Sequence, residues 1–71
     1  MKEFNPDKII IRRNFLKLNR SALAKKSKIA QSFLYDIEKN GKTPSARTLA
    51  KLADALEVNI DFFFTYTSLK R

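Results

Sequence analysis

Residues 19–42 read NRSALAKKSKIAQSFLYDIEKNGK. Two short helical segments can be cut from this stretch. Asn19 is a good helix cap, and Ala22, Leu23 and Ala24 are good helix formers. One helix therefore starts after Asn19, with Leu23 pointing inward. The chain changes direction around Ser27, Lys28 and Ile29, and a second helix runs over residues 31–39. Phe33 or Leu34, with Ile37, form its apolar side; Gln31, Ser32, Tyr35, Asp36 and Lys39 form its polar side. Asn40-Gly41 ends it, with a left-handed residue expected there.

The flanks extend the pattern. On the N-terminal side, Asn5-Pro6-Asp7 is a helix start: Asn caps, Pro opens the first turn, and Asp meets the positive end of the dipole. A helix over residues 6–17 follows. Its β-branched triplet Ile9-Ile10-Ile11 also reads as a strand start. Helix is preferred because Arg12-Arg13-Asn14 breaks a two-residue alternation. On the C-terminal side, Ser45 caps a helix over residues 46–56, where Leu49, Leu52, Ala53 and Leu56 fall at i, i+3, i+4 and i+7. Asn59 caps a last short helix over residues 60–64. The expectation is an all-α, compact five-helix domain with no strand. Its core is expected to hold Ile9, Leu16, Leu23, Ile29, Leu34, Ile37, Leu49, Leu52, Leu56 and Ile60. Residues 1–64 form the domain, and residues 65–71 a tail.

Composition narrows the function. The chain has 71 residues, 44% of them hydrophobic, enough for one small core. It has no His and no Cys, which excludes disulfides, thiolate or imidazole metal sites and a His-based triad. No cofactor is expected, and the scattered carboxylates make no persuasive catalytic site, so no enzyme is expected either. No apolar run approaches about 18 residues, so no membrane span is expected and the location is cytoplasmic. Fifteen Lys or Arg oppose seven Asp or Glu, a formal charge of +8. Lys8, Arg12, Arg13, Lys17, Arg20, Lys25, Lys26 and Lys28 fall within residues 8–28, which contain no acid. From Asp54 onward the net charge is −1. One part of the chain is thus suited to face a polyanion.

The sequence resembles the helix-turn-helix domain of phage repressors and Cro proteins, the XRE-like family. The matching residues are Leu18-Asn19-Arg20, Leu23-Ala24, Ile29-Ala30-Gln31-Ser32, and Ile37-Glu38-Lys39-Asn40-Gly41-Lys42 followed by Pro44-Ser45. They continue as Leu49, Leu52-Ala53, Ala55-Leu56, Val58 and Ile60-Asp61. The resemblance implies that the second and third helices form the motif. It also implies an ion pair between Arg13 and Glu38, linking the first helix to the end of the third. Three positions depart from the pattern: Arg20 stands where Gln is usual, Lys28 where Gly is common, and Ala30 where Ser or Thr usually caps. Lys28 in a left-handed turn and the missing cap at Ala30 each cost about 1 kcal/mol.

A helix in the major groove needs polar side chains along its exposed first turns. Gln31, Ser32, Tyr35 and Asp36 are the candidates for base contact; Asp36 either accepts from cytosine or orients Arg20. Phe33 either packs on a thymine methyl or closes the motif. Phosphate candidates are Arg20, Lys28, Lys39, Asn40 and Lys42, with Arg13 or Lys17 from the first helix. For Arg13 a structural role stands beside the phosphate role. Arg12 and Lys8 are read as a solvated face. The expected function is a sequence-specific regulator of transcription, a repressor binding double-stranded DNA as a homodimer on a palindromic operator. The alternatives are an antitoxin-type module that binds a small protein partner and DNA, and a non-specific nucleic-acid binder. Phe62, Phe63, Phe64 and Tyr66, with Leu69, are candidates for the dimer interface. The competing arrangement folds the tail back over the first helix.

Overall fold

The computed structural model describes residues 2–66. Four α-helices make the body: α1 (Asp7–Phe15), α2 (Arg20–Ser27), α3 (Gln31–Lys39) and α4 (Ala46–Leu56). A 3-10 turn at Ile60–Phe63 stands where a fifth helix was expected. Two three-residue strands, β1 (Lys2–Phe4) and β2 (Phe64–Tyr66), correct the expectation of no strand. They pair antiparallel in the register Lys2 with Tyr66, Glu3 with Thr65 and Phe4 with Phe64. Thr65 and Tyr66, read as tail, therefore join the N-terminus to the C-terminal end. Residues 67–71, including Leu69, and the side chain of Tyr66 lie outside what is described.

The helix starts follow their caps. Asn5 Oδ1 accepts the Asp7 N–H at 3.0 Å, Asn19 Oδ1 the Ala22 N–H at 2.7 Å, and Ser45 Oγ the Thr48 N–H at 3.2 Å. Ala30 offers α3 no side-chain cap, as the sequence implies, and Asn59 makes no such bond either. α1 ends at Phe15, two residues earlier than expected.

Three helix ends share one device. Lys17, Lys28 and Glu57 follow α1, α2 and α4 with φ of 60°, 62° and 63°. In each case the next residue reaches back five positions: Leu18 N–H to Arg13 O, Ile29 N–H to Ala24 O, and Val58 N–H to Ala53 O. These are Schellman ends, and Leu18, Ile29 and Val58 pack against the core as such ends require. Glycine is the residue that takes this conformation without cost, yet the chain uses it only at Gly41, φ 75°. Lys28→Gly is therefore expected to raise stability by about 0.5–1 kcal/mol in urea denaturation. A loss of stability would show that Lys28 carries no strain.

The core holds Ile9, Leu23, Leu34, Ile37, Leu49, Leu52 and Leu56, as the apolar spacing implies, with Leu16 and Ile29 partly buried at its edge. Ile60 is a correction: it is 37% exposed, and Phe63 takes the interior place at 0%. Phe63 is thereby removed from the surface available for dimer contact. Phe62 and Phe64 are partly buried. Phe62 meets Phe63 edge-on at 6.0 Å, and Phe64 meets Phe4 in the same way at 6.0 Å.

Arg12 and Lys8 are also corrected. Arg12 Nε donates to Leu56 O at 2.9 Å, which ties α1 to the carbonyl end of α4 where a cation is favoured. Its guanidinium also lies 4.9 Å from the Phe15 ring centroid, over a side chain left 69% exposed. Lys8 Nζ sits 5.3 Å above the Phe62 ring.

Candidate nucleic-acid interface

α3 is the element to which the candidate residues converge. Leu34 and Ile37 bury its inner side, and this fixes what faces outward. Gln31, Ser32, Tyr35 and Lys39 are exposed on the opposite side, and Asp36 is half-buried beside them. Gln31 and Ser32 occupy the uncapped first turn, where backbone N–H groups also point along the axis.

The base of α3 is locked by charge. Glu38 is buried near the end of the helix and accepts three N–H groups. Arg13 Nε reaches Oε2 at 3.0 Å, Arg13 Nη2 reaches Oε1 at 3.1 Å, and Arg20 Nε reaches Oε1 at 2.8 Å. Arg13 Nη1 donates further to Leu18 O at 3.2 Å. The Arg13 side chain is 10% exposed and that of Glu38 0%. The ion pair implied by the resemblance is thus present. Arg13 occupies the structural role and is withdrawn from the phosphate candidates. No buried side-chain nitrogen or oxygen among the described residues is left without a partner, which a buried charged group requires if it is not to destabilise the fold.

Asp36 does not orient Arg20. Its Oδ1 accepts from Asn40 Nδ2 at 2.8 Å, and its backbone oxygen accepts the N–H of Asn40 and of Lys42. Asp36 thereby folds the Asn40-Gly41-Lys42 loop against the end of α3. Lys39, Asn40 and Lys42 are exposed there, and Lys42 Nζ lies 5.5 Å from the Phe33 ring centroid. That contact places Phe33, half-buried, under the loop. Lys28 is exposed in the turn before α3, and Lys17 is exposed after α1.

Two features escaped the sequence reading. Arg47 is exposed in the first turn of α4, five positions beyond Lys42. A cation there opposes the helix dipole, so its position against local electrostatics was a usable signal. The second is the double engagement of Arg20, held inward by Glu38 while its guanidinium lies 4.9 Å from the Tyr35 ring centroid. The two residues are fifteen apart in sequence and in different helices, so spacing carries no hint of the contact.

A helix-turn-helix family model matches residues 9–63. The chain belongs to that helix-turn-helix family, the one with the phage-repressor and Cro-like members that its sequence resembles. Among solved structures it is similar to the N-terminal DNA-binding domain of SinR from Bacillus subtilis. The two share 32% identity over 78% of this chain and 81% of that one, with a TM-score of 0.74. SinR in complex with DNA aligns at 31% identity over 80% and 95%, TM-score 0.76. The DNA-binding domain of the P22 c2 repressor aligns at 24% identity over 86% and 80%, TM-score 0.79, a likeness of fold. No curated protein sequence matches the chain. The family and these structures are those of regulators, not enzymes. Among the described residues no cluster of acidic side chains could hold a metal ion, and no helix is long and apolar enough to cross a membrane.

Proposed function

We propose that the chain is a DNA-binding regulator of transcription whose α3 reads base edges in the major groove of double-stranded DNA. The observation that carries this reading is the exposed face of Gln31, Ser32 and Tyr35 on a helix clamped at its other end by the Arg13–Glu38–Arg20 cluster. A reading helix must present polar side chains and must not rotate, and this one meets both needs. Glutamine pairs with adenine through two hydrogen bonds, serine discriminates less, and Asp36, whose Oδ1 holds Asn40, has a second carboxylate oxygen to accept from cytosine. Arg20, Lys28, Lys39, Asn40 and Lys42, with Lys17, are the proposed phosphate contacts; Arg47 joins them. The formal charge of +8 supports a large salt-dependent share of the affinity. The likeness to SinR, solved with DNA, supports the same reading.

The finer proposal is a cytoplasmic repressor acting as a homodimer on a palindromic operator. One reading helix covers a few base pairs, and selectivity against many competing sites calls for a second copy. Two copies would set their reading helices about 34 Å apart on inverted half-sites. The C-terminal end, carrying Phe62, Phe64 and Tyr66, is the proposed pairing surface, because residues 54–66 contain three acids and no base, so like-charge repulsion is smaller there than along the basic stretch of residues 8–28.

Two substitutions test the reading on a selected duplex and on random sequence. Gln31→Ala is expected to lose about 1–3 kcal/mol of discrimination at one base pair. Lys42→Ala is expected to weaken all duplexes alike and to lower the salt slope by about 1. Equal losses on selected and random DNA for Gln31→Ala would remove the base-reading role.

A further inference from the structure

Glu38 is one carboxylate facing two guanidinium groups, so the cluster keeps one positive charge in excess. Arg13 is enclosed and gives two N–H groups to Glu38. The excess therefore falls on Arg20, whose side chain is 26% exposed where α2 meets α3. Its Nε is bound inward to Glu38 at 2.8 Å, which fixes the plane of the guanidinium. That plane in turn limits where the Tyr35 ring can lie, since a guanidinium and an aromatic face attract each other at the observed 4.9 Å. Tyr35 is 45% exposed on the face it shares with Gln31 and Ser32. A tyrosine with that much open surface would otherwise sample several rotamers and meet a base edge in several ways.

We infer that Arg20 is a specificity-determining positioning residue, which holds the Tyr35 ring at the base-reading face of α3 through a stack braced by Glu38. The inference rests on the DNA-binding reading and adds a role to the phosphate contact proposed for the same side chain. The residue type is what makes the device work. Lysine keeps the charge and can reach a phosphate, but it has no planar face and cannot bind inward and stack at once. Positioning and phosphate contact can therefore be separated by one substitution.

The test compares Arg20→Lys, Tyr35→Leu and the double variant on the best selected duplex and on each of its single-base-pair changes, over a salt series. Arg13 still neutralises Glu38 in all three, and a thermal melt checks that each is folded. Arg20→Lys is expected to keep the salt slope of the parent and to lose about tenfold in discrimination at one base pair. Tyr35→Leu is expected to lose it at the same base pair, and the double variant to be no worse than either single one. An equal loss across all duplexes for Arg20→Lys, or losses at different base pairs that add, would overturn the inference. The stack itself is read without DNA: the Arg20 side-chain protons should be shifted upfield by the Tyr35 ring, and Tyr35→Leu should abolish that shift. A parent protein without the shift would overturn the inference at its first step. A protein that shows the shift yet prefers no duplex would contradict the regulator reading and leave the stack standing.

Discussion

Glu38→Ala is expected to cost about 3–5 kcal/mol, because it leaves two guanidinium groups, one of them buried, without their shared carboxylate. Globular domains have about 5–15 kcal/mol in total, and one of this size sits near the lower end. The variant should be largely unfolded at 37 °C, and urea denaturation followed by far-UV circular dichroism would show it. A loss below about 1 kcal/mol would mean that Glu38 does not lock the base of α3. A companion variant separates chemistry from burial: Arg13→Met, Arg20→Met and Glu38→Leu together should recover much of the loss. Apolar side chains of similar volume can replace a buried ion cluster without leaving a charge unpaired. That recovered protein would still lack the Arg20 charge proposed to face phosphate, so its affinity for DNA should stay low while its stability rises.

Phe63→Ala is expected to cost about 3–5 kcal/mol, the usual price of removing a fully buried ring. Phe62→Ala should cost clearly less, because Phe62 is only partly buried and Lys8 Nζ, a hydrated cation, lies over its ring. Denaturation of the two single variants checks the order. The reverse order would place Phe62 in the core and Phe63 at the surface, and would restore Phe63 as a residue for subunit contact. Because the 3-10 turn packs against α1 and α4, loss of Phe63 should also loosen the β1–β2 pairing, which begins at the next residue.

These two sites mark where the sequence was informative and where it was not. Three of the four helices were legible because their starts carry a chemical signal: Asn5, Asn19 and Ser45 bond the N–H groups that their positions imply, whereas α3 has no cap and was legible from the apolar spacing of Leu34 and Ile37. The α4 stripe of Leu49, Leu52, Ala53 and Leu56 repeats over enough turns to fix its inner face. The last turn has no such repeat. Four residues at Ile60–Phe63, three of them apolar, offer no periodicity to choose which one enters the core, and packing chose Phe63 over Ile60. The strands were illegible for a related reason. Each is three residues long, and their partners are sixty or more positions apart, so no local alternation could declare the pair.

The candidate site divides in the same way. Exposure of Gln31, Ser32 and Tyr35 followed from the burial of Leu34 and Ile37 on the same helix, which amphipathic spacing can foresee. Arg20 read as a phosphate contact because its charge and its place at a helix start are visible in sequence. Its hold on Glu38 and Tyr35 depends on how α2 docks on α3, which is a tertiary fact. Asp36 shows the limit from the other side. Its charge suggested a partner in Arg20, while the loop after α3 brought Asn40 closer.

The exposed face of α3 is proposed to read the sequence of double-stranded DNA. Selection of bound duplexes from a random pool, followed by measurement of affinity for the best duplex and for random sequence at physiological salt, tests it most directly. The expected result is a preference of about a thousandfold or more for the selected duplex. A ratio near one, with strong binding that merely falls as salt rises, would contradict the claim.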